Sequence, residues 1–308
     1  DYGRTFACNN VTLCRNGSKM CGNCANTTLS VNGTSVSLVY VDGTKGWKAV
    51  NDDSVGSLGA SYITATGGNT VATCGDFKIH TFTSSGTFCV SSAGNSAGSN
   101  KVSYVVVAGG GGAAYNSGNS SGGGGGGGYR EGKATTFDSY TASPLVAPDG
   151  LAVTASAFPI TVGAGGAAGT PGAPVKGSSG ANSIFSSITS AGGGGSGGTT
   201  GSAPCAPGVA GGSGGGSTGY VSPGSLPISG GAGNTPPVSP PQGNAGGNSQ
   251  GRYASSGGGG ATAAGANTPS GCNVASSAGG AGATTVITGT PSSFSGGGGG
   301  AGYGPPSP

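Results

Sequence analysis

The stretch Gly122-Gly123-Gly124-Gly125-Gly126-Gly127-Gly128 decides how this chain folds. Glycine loses more backbone freedom on folding than any other residue. Seven in a row are therefore unfavourable in a folded domain unless backbones approach so closely that a Cβ would not fit. The chain is either disordered here or packs backbone against backbone. Four further runs pose the same choice: Gly109–Gly112, Gly192–Gly195, Gly257–Gly260 and Gly296–Gly300.

The glycine runs are compatible with two structures. One is a set of flexible linkers. The other is polyglycine II, in which extended left-handed helices with three residues per turn lie side by side and exchange N–H···O bonds. Short apolar segments between the runs, and the pair Cys205 and Cys272, favour order. We therefore expect residues 109–308 to form a glycine-rich domain of polyglycine II helices packed in layers. Its proline-rich stretches are predicted to form polyproline II loops, spacers or a tail: Ser202–Pro207, Thr235–Pro241 and Gly304–Pro308.

Residues 1–55 are predicted to form a small β module. Val36–Val41 is rich in strand-forming residues, and Asp42-Gly43 is typical of a hairpin turn before Trp47–Val50. We expect Trp47 to cap a small core, with a role as a binding platform as the alternative.

Residues 56–108 are predicted to form a second β module. Phe77–Thr83 alternates with period two, Ser84-Ser85-Gly86 has turn residues, and Thr87–Val90 is expected to return as the second strand of a hairpin. Lys101–Ala108 is nearly continuously apolar, which is typical of a strand buried on both faces. Because no amphipathic helical pattern appears anywhere, the predicted fold class is all-β with essentially no α-helix.

Charge is unusually scarce in this chain. Only 6% of residues are charged, and the eleven Lys and Arg residues are scattered. Binding to a phosphate backbone needs clustered cations, so nucleic acid is not an expected partner. No apolar stretch approaches the roughly 20 residues of a membrane-spanning helix, so membrane insertion is not expected. A chain with so little charge should aggregate in water unless it folds, assembles or is glycosylated.

The residues that enzymes use are nearly absent. His80 is the only histidine, and it sits in a period-two segment, where a role in a sheet is the simplest interpretation. Asp52 and Asp53 adjoin, and neighbouring residues of a strand point to opposite faces. No glycine run is followed by the Lys-Ser/Thr of a phosphate loop. We therefore expect a protein that is not an enzyme and that uses no cofactor and no metal.

Eight cysteines indicate an oxidising compartment. They are Cys8, Cys14, Cys21, Cys24, Cys74, Cys89, Cys205 and Cys272. The first four could form a tetrathiolate zinc site, but two disulfides are the favoured interpretation. Cys74 and Cys89 flank the predicted hairpin and could bridge it. Sequons for N-glycosylation, four of them beside the first cysteines, favour secretion: Asn10, Asn16, Asn26, Asn32 and Asn119.

Several stretches together resemble the glycine-rich fibre proteins of aquatic tailed phages. They are Asn9–Lys19, Leu29–Trp47, Gly75–Phe88, Val105–Gly112, Tyr129–Gly132 and Ile160–Gly166. The resemblance implies a tail-fibre or appendage protein with a polyglycine II domain, some relatives of which contact the host surface through loops. It also implies that a β-rich segment precedes Asp1 in the family, so this chain is expected to be truncated or to complete its first sheet with a strand from a neighbouring subunit. The cysteines and sequons depart from the family pattern and suggest an exposed or secreted filament.

The sequence thus predicts a structural, non-enzymatic subunit of an extracellular or virion fibre that assembles with copies of itself. The alternative is a receptor-binding adhesin at the tip of a phage tail fibre, with host cell-surface glycans or proteins as partners. Its contact residues would be loop tyrosines, for which packing between layers is the competing interpretation: Tyr115, Tyr129, Tyr220 and Tyr253.

Overall fold

The computed structural model describes residues 5–6, 8–30, 36–50, 61–95, 98–115, 121–170, 176–198, 207–219, 227–272 and 275–302. The chain divides into two compact units. The first comprises Asp1–Thr66, Cys89–Lys101 and Ala152–Ala157, and the second Gly67–Phe88, Val102–Leu151 and Phe158–Pro308. The predicted division into modules 1–55, 56–108 and 109–308 stays a prediction, and its first boundary lies outside the described residues.

Short strands are the regular secondary structure, and the described residues contain no helix. The predicted all-β class is therefore confirmed. The strands are β1 Val11–Leu13, β2 Thr27–Leu29, β3 Ser37–Asp42, β4 Gly46–Val50, β5 Ile63–Thr66, β6 Thr70–Cys74, β7 Phe77–Thr81, β8 Gly86–Ala93, β9 Lys101–Val102, β10 Tyr104–Val107, β11 Tyr129–Gly132, β12 Val146–Ala147, β13 Leu151–Ala152, β14 Ala157–Thr161, β15 Ser183–Phe185, β16 Ile188–Ser190, β17 Gly251–Arg252, β18 Gly271–Cys272, β19 Ala283–Thr285 and β20 Ser292–Phe294.

Antiparallel strand pairs build much of the first unit. β1 pairs with β2, and β3 pairs with β4 in the hairpin predicted around Asp42-Gly43. The Asp42 Oδ1 accepts hydrogen bonds from the backbone N–H groups of Thr44 (2.8 Å) and Lys45 (2.6 Å), which fixes the turn.

The prediction that Trp47 caps a core is wrong. Its side chain is 37% exposed and packs edge-on against Tyr40, with 5.5 Å between the ring centroids. β3 and β4 form a sheet of two strands, so Tyr40, Trp47 and Val39 remain exposed. Met20, whose backbone bridges to that of Trp47, is the buried residue at this place.

The hairpin predicted between Phe77–Thr83 and Thr87–Val90 is also wrong. β7 pairs antiparallel with β6, with Cys74 opposite Phe77. Gly75 has a φ of +58°, which provides the left-handed backbone that a tight hairpin turn needs. Thr70–Cys74 also has the β-branched residues of a strand, so the nearer partner is used.

Outside its glycine-rich segments, the second unit is held together by an aromatic cluster and by antiparallel and parallel strand pairs. The ring of Phe185 in β15 meets those of Phe88, Phe158 and Tyr104 edge-on, with centroids 5.9 to 6.3 Å apart. β15 pairs with β14 and β16, and β10 pairs with β11, which adds β12 in parallel. The segment predicted as one strand is divided into β9 and β10, and in β10 Tyr104 and Val106 are buried whereas Val105 and Val107 are half-buried, so the predicted burial on both faces is confirmed only in part.

Candidate functional site: a layer of glycine runs anchored by a buried glutamate

The run Gly122–Gly128 lies at the centre of a layer of glycine-rich segments, and all seven residues are buried. It leads directly into β11. Its backbone exchanges hydrogen bonds with five neighbouring segments, which are the other four glycine runs with their flanking residues and the segment 213–216. The layer is therefore held by main-chain groups.

The N–H groups of the central run form rows three residues apart, and each bonded row addresses one neighbour. The bonds run from Gly123 to Ser256 O (3.1 Å), from Gly126 to Gly259 O (2.9 Å), from Gly125 to Gly194 O (2.9 Å) and from Gly128 to Ala191 O (2.7 Å). A period of three is that of the polyproline II helix.

The carbonyl groups of the central run follow the same period. One row accepts from the segment 213–216, with bonds from Gly216 N to Gly123 O (2.8 Å) and from Ser213 N to Gly126 O (3.2 Å). A second accepts from the first glycine run, with bonds from Gly111 N to Gly125 O (2.8 Å) and from Ala108 N to Gly128 O (3.0 Å). The third accepts from the last glycine run, with bonds from Gly298 N to Gly124 O (2.9 Å) and from the Ser295 hydroxyl to Gly127 O. Each of the three rows thus bonds a different segment. This is the bonding expected of packed polyglycine II helices, and flexible linkers do not account for it.

Close approach is the reason for glycine in this layer. A Cβ on Gly123 would lie 1.9 Å from Gly298 O, one on Gly111 would lie 2.1 Å from Gly194 O, and one on Gly258 would lie 2.1 Å from Gly124 O. None of the glycines in the five runs has a positive φ. Conformational freedom is therefore not what these positions use. Glycine is needed at these positions because it has no Cβ.

The central run ends in a buried polar cluster around Glu131, the only glutamate of the chain. Glu131 is 1% exposed. Its Oε2 accepts hydrogen bonds from the Tyr129 hydroxyl and the Ser143 N–H, both at 2.9 Å. Its Oε1 accepts one from the Thr285 hydroxyl at 2.7 Å. The cluster joins β11 to β19, which follows another glycine-rich segment, so it fixes the ends of two segments of the layer.

Two tyrosines beside Glu131 are held in their neutral form. The pKa of Tyr129 lies well above its usual value of 10.0, mainly because the side chain is buried. The nearby Glu131 carboxylate raises this pKa further. The same two causes raise the pKa of Tyr140. The Tyr140 hydroxyl is buried and has no hydrogen-bond partner among the described residues. Lys133 lies over the Tyr140 ring, with Nζ 5.0 Å from the centroid.

Gln242 ties the central run to the run Gly192–Gly195. Its side-chain Oε1 accepts the Ala191 N–H at 2.8 Å, and its backbone oxygen accepts the Tyr129 N–H at 2.8 Å. The proline-rich stretch that precedes it, predicted as a loop or a spacer, forms a closed loop. Asn234 Oδ1 accepts the N–H groups of Val238 (3.1 Å) and Gln242 (3.2 Å), and the loop contains two cis X-Pro bonds.

Sequence reasoning missed Glu131 and Gln242 as anchoring residues. Glu131 carries a usable signal, because it is the sole glutamate and comes three residues after the longest glycine run. Gln242 has no comparable signal, since its role depends on which runs become neighbours.

The predicted disulfides do not form among the described cysteines. The side chains of six cysteines are exposed free thiols: Cys8, Cys14, Cys21, Cys24, Cys74 and Cys89. The bridge predicted between Cys74 and Cys89 depended on the incorrect hairpin. Cys74 pairs with Phe77 of β7, whereas Cys89 pairs with Thr66 of β5. Cys205 and the side chain of Cys272 lie outside the described residues.

Three predicted glycosylation sites lie at the surface. Asn10, Asn16 and Asn26 are exposed, and the side-chain oxygen of Asn26 accepts the Arg15 N–H at 3.0 Å. Asn32 and Asn119 lie outside the described residues. Exposure is compatible with modification of the first three, which stays a prediction.

The tyrosines predicted as surface contacts have different environments. Tyr129 is 1% exposed, so a contact role for it is wrong and the competing interpretation as packing is confirmed. Burial follows from its place at the end of the central run, beside Ala261 and Ala283. Tyr115 and Tyr253 are partly buried, and Tyr220 lies outside the described residues.

His80 lies in β7, as its sequence pattern predicted. Its Nδ1 is 2.7 Å from Gly67 O, and its ring meets Phe88 edge-on.

Within the described ranges, no three His, Cys, Asp or Glu side chains are grouped so as to hold a metal ion. The same ranges contain no helix that is long and apolar enough to cross a membrane.

Comparison with known proteins identifies one family. A family model described as a glycine-rich domain matches residues 83–307, more than two thirds of the chain. Searches of curated proteins and of solved structures gave no match.

Proposed function

Because the chain belongs to the glycine-rich domain family, we propose that it is a structural, non-enzymatic subunit of an extracellular or virion fibre. In this proposal it assembles with copies of itself through backbone hydrogen bonds between glycine-rich segments. The observation that carries the proposal is the layer around Gly122–Gly128. A layer joined by main-chain groups can grow at its margin wherever further glycine segments supply donors and acceptors, just as strand edges do in a sheet.

The margin of this layer supports growth. The run Gly296–Gly300 contains exposed residues, although it consists of glycine alone. Gly296 and Gly299 are exposed, and a Cβ on either would have no atom nearer than 3.8 Å, so packing within this chain does not require glycine at these two positions, where it costs backbone entropy. In a fibre, the same run becomes an interface that another backbone can approach closely.

A place outside the cytoplasm is part of the proposal. Exposed sequons at Asn10, Asn16 and Asn26 are accessible for glycans. We propose a fibre of the kind that the resemblance to phage appendage proteins implies, with the exposed cysteines available to link copies.

Electron microscopy of the purified, non-reduced protein tests the function. We expect long fibres whose mass increases with protein concentration. Because the exposed run carries no charge, the fibres should persist at about 1 M salt, where surface ion pairs are screened. Discrete particles that bind host cells would favour the receptor-binding alternative and contradict the proposal.

A control variant shows whether replacing a glycine at an open position leaves assembly unchanged. Gly165 is exposed, and a Cβ there would have no atom nearer than 3.8 Å. Gly165→Ala should therefore form the same fibres as the wild type.

A further inference from the structure

Among the described residues, the central run Gly122–Gly128 has no hydrogen-bonded neighbour in one direction. A threefold helix presents three rows of N–H groups and three rows of carbonyl groups, and so six directions for bonding. All three carbonyl rows and two N–H rows are bonded. The third row, Gly124 and Gly127, donates to no described residue. Both residues are buried, where an unpaired N–H is costly.

These two residues form part of the floor of an open groove of about 430 Å³. Gly110 and Gly111 contribute to one wall, and Gly298 and Gly299 to the other. The residues with side chains along the groove are small or apolar, and none is charged: Val107, Ala108, Ala113 and Ser295. The groove therefore presents backbone to whatever occupies it.

Both walls also contain carbonyl groups that are not hydrogen-bonded and could accept from an occupant of the groove. Ala108 and Gly111 lie three residues apart in one wall, and their carbonyl oxygens lie against the backbone of Gly127 and Gly124 but accept no hydrogen bond from the described residues. The carbonyl oxygens of Gly296 and Gly299 in the other wall also accept no hydrogen bond from these residues. A backbone with a period of three would thus find N–H groups on the floor and carbonyl groups on both walls.

Gly110 indicates that the groove is kept open for another backbone. A Cβ at this position would have its nearest contact at 3.6 Å, from Gly125 O. The packing of this chain alone therefore does not require glycine there, in contrast to Gly109 and Gly111, where a Cβ would meet carbonyl oxygens at 2.0 and 2.1 Å.

We propose that the groove binds a glycine run of a second copy of this chain, namely Gly296–Gly300, in the polyglycine II conformation. Among the five runs, this one has most of its residues exposed. The N–H groups of Gly296 and Gly299 donate to no described residue, so the run also carries free donors. The parts of the sequence outside the described residues contain no two consecutive glycines, which excludes them as polyglycine occupants.

The contact would join the groove of one copy to the run Gly296–Gly300 of the next, and because this run also lines the groove of its own copy, the two runs would lie side by side. Such heterologous contacts produce open filaments unless the rotation between copies closes a ring. At about 3.1 Å per residue, five glycines extend roughly 15 Å, the length of the five floor residues Gly123–Gly127. This inference rests on the proposed function and names the contact that would generate it.

Blocking the groove tests the inference. Gly110→Val adds a side chain at a position where a Cβ fits, and Gly43→Val is the matched control at an exposed glycine that does not line the groove and whose Cβ would meet nothing within 4 Å. Both variants should keep the thermal unfolding midpoint of the wild type by circular dichroism. Sedimentation should show that Gly110→Val needs a protein concentration about tenfold or more higher to assemble, whereas Gly43→Val assembles at the wild-type concentration.

The outcomes separate the two proposals. If the wild type and Gly110→Val assemble equally, the groove is not the contact, and the fibre proposal stands. If the wild type stays monomeric at all concentrations, both proposals are overturned.

Amide hydrogen exchange provides a second test that needs no variant. On assembly of the wild type, exchange at Gly124 and Gly127 should slow by about tenfold or more. Unchanged exchange at these two amides in assembled protein would overturn the inference even if Gly110→Val failed to fold.

Discussion

The hairpins and the glycine layer use the same residue for opposite reasons. In the β6–β7 turn, Gly75 has a φ of +58°, and a Cβ there would meet nothing within 4 Å. In the layer, Gly258 has no positive φ, and its Cβ would lie 2.1 Å from Gly124 O. The turn needs a backbone conformation, whereas the layer needs the absence of an atom. Substitutions should therefore differ in size and in kind between the two regions.

The largest effect is expected from adding one carbon inside the layer. Gly258→Ala forces the segments around Gly124 apart and breaks their shared hydrogen bonds, which should lower the free energy of unfolding by about 4 kcal/mol or more. Urea unfolding followed by circular dichroism measures this. Gly165→Ala, at an open position, should change stability little. Equal stability of the two variants would contradict backbone packing.

A smaller loss is expected from neutralising the anchor. Glu131→Gln keeps the shape of the side chain but turns an NH₂ group toward hydrogen-bond donors such as the Tyr129 hydroxyl or the Ser143 N–H. The free energy of unfolding should fall by about 2 to 3 kcal/mol. Asp76→Asn removes an exposed carboxylate and is the control. An unchanged unfolding midpoint for Glu131→Gln would show that the cluster does not anchor the layer.

Alkaline pH should weaken the anchor in the same region. The folded pKa values of Tyr129 and Tyr140 lie above the usual 10.0, so only the unfolded chain releases these protons near pH 10. Stability is therefore fully present below pH 10 and falls as pH rises beyond it. Unfolding curves between about pH 8 and 11 measure the fall. Tyr140→Phe should make it shallower, and an identical curve would argue against this cause.

Sequence alone predicts the local elements better than their partners. The β3–β4 hairpin follows from Asp42-Gly43, because turn and strand residues are adjacent. The pairing of β7 with β6 was missed, since two strand-like segments flank Phe77–Thr81 and only Gly75 distinguishes them. The polyglycine II interpretation follows from the glycine runs together with the short apolar segments between them, which favour order over flexible linkers. Which runs become neighbours depends on contacts between distant residues, and so the roles of Glu131 and Gln242 could not be predicted.

The smallest effect is expected in the turn. Gly75→Ala places a Cβ in the left-handed region and should cost about 1 kcal/mol. Gly75→Asn should cost less, because asparagine tolerates this region better. Thermal unfolding of both variants measures the difference. A loss as large as that of Gly258→Ala would erase the distinction between the two regions.

The most direct test of the layer is residue-resolved amide exchange along Gly122–Gly128 in dilute protein, before assembly. The bonding predicts slow exchange at Gly123, Gly125, Gly126 and Gly128 and faster exchange at Gly124 and Gly127. Fast exchange at every third residue is specific to a threefold helix in which one of the three rows of N–H groups has no hydrogen-bond partner. Uniformly fast exchange along the run would contradict ordered backbone packing and return the glycine runs to flexible linkers.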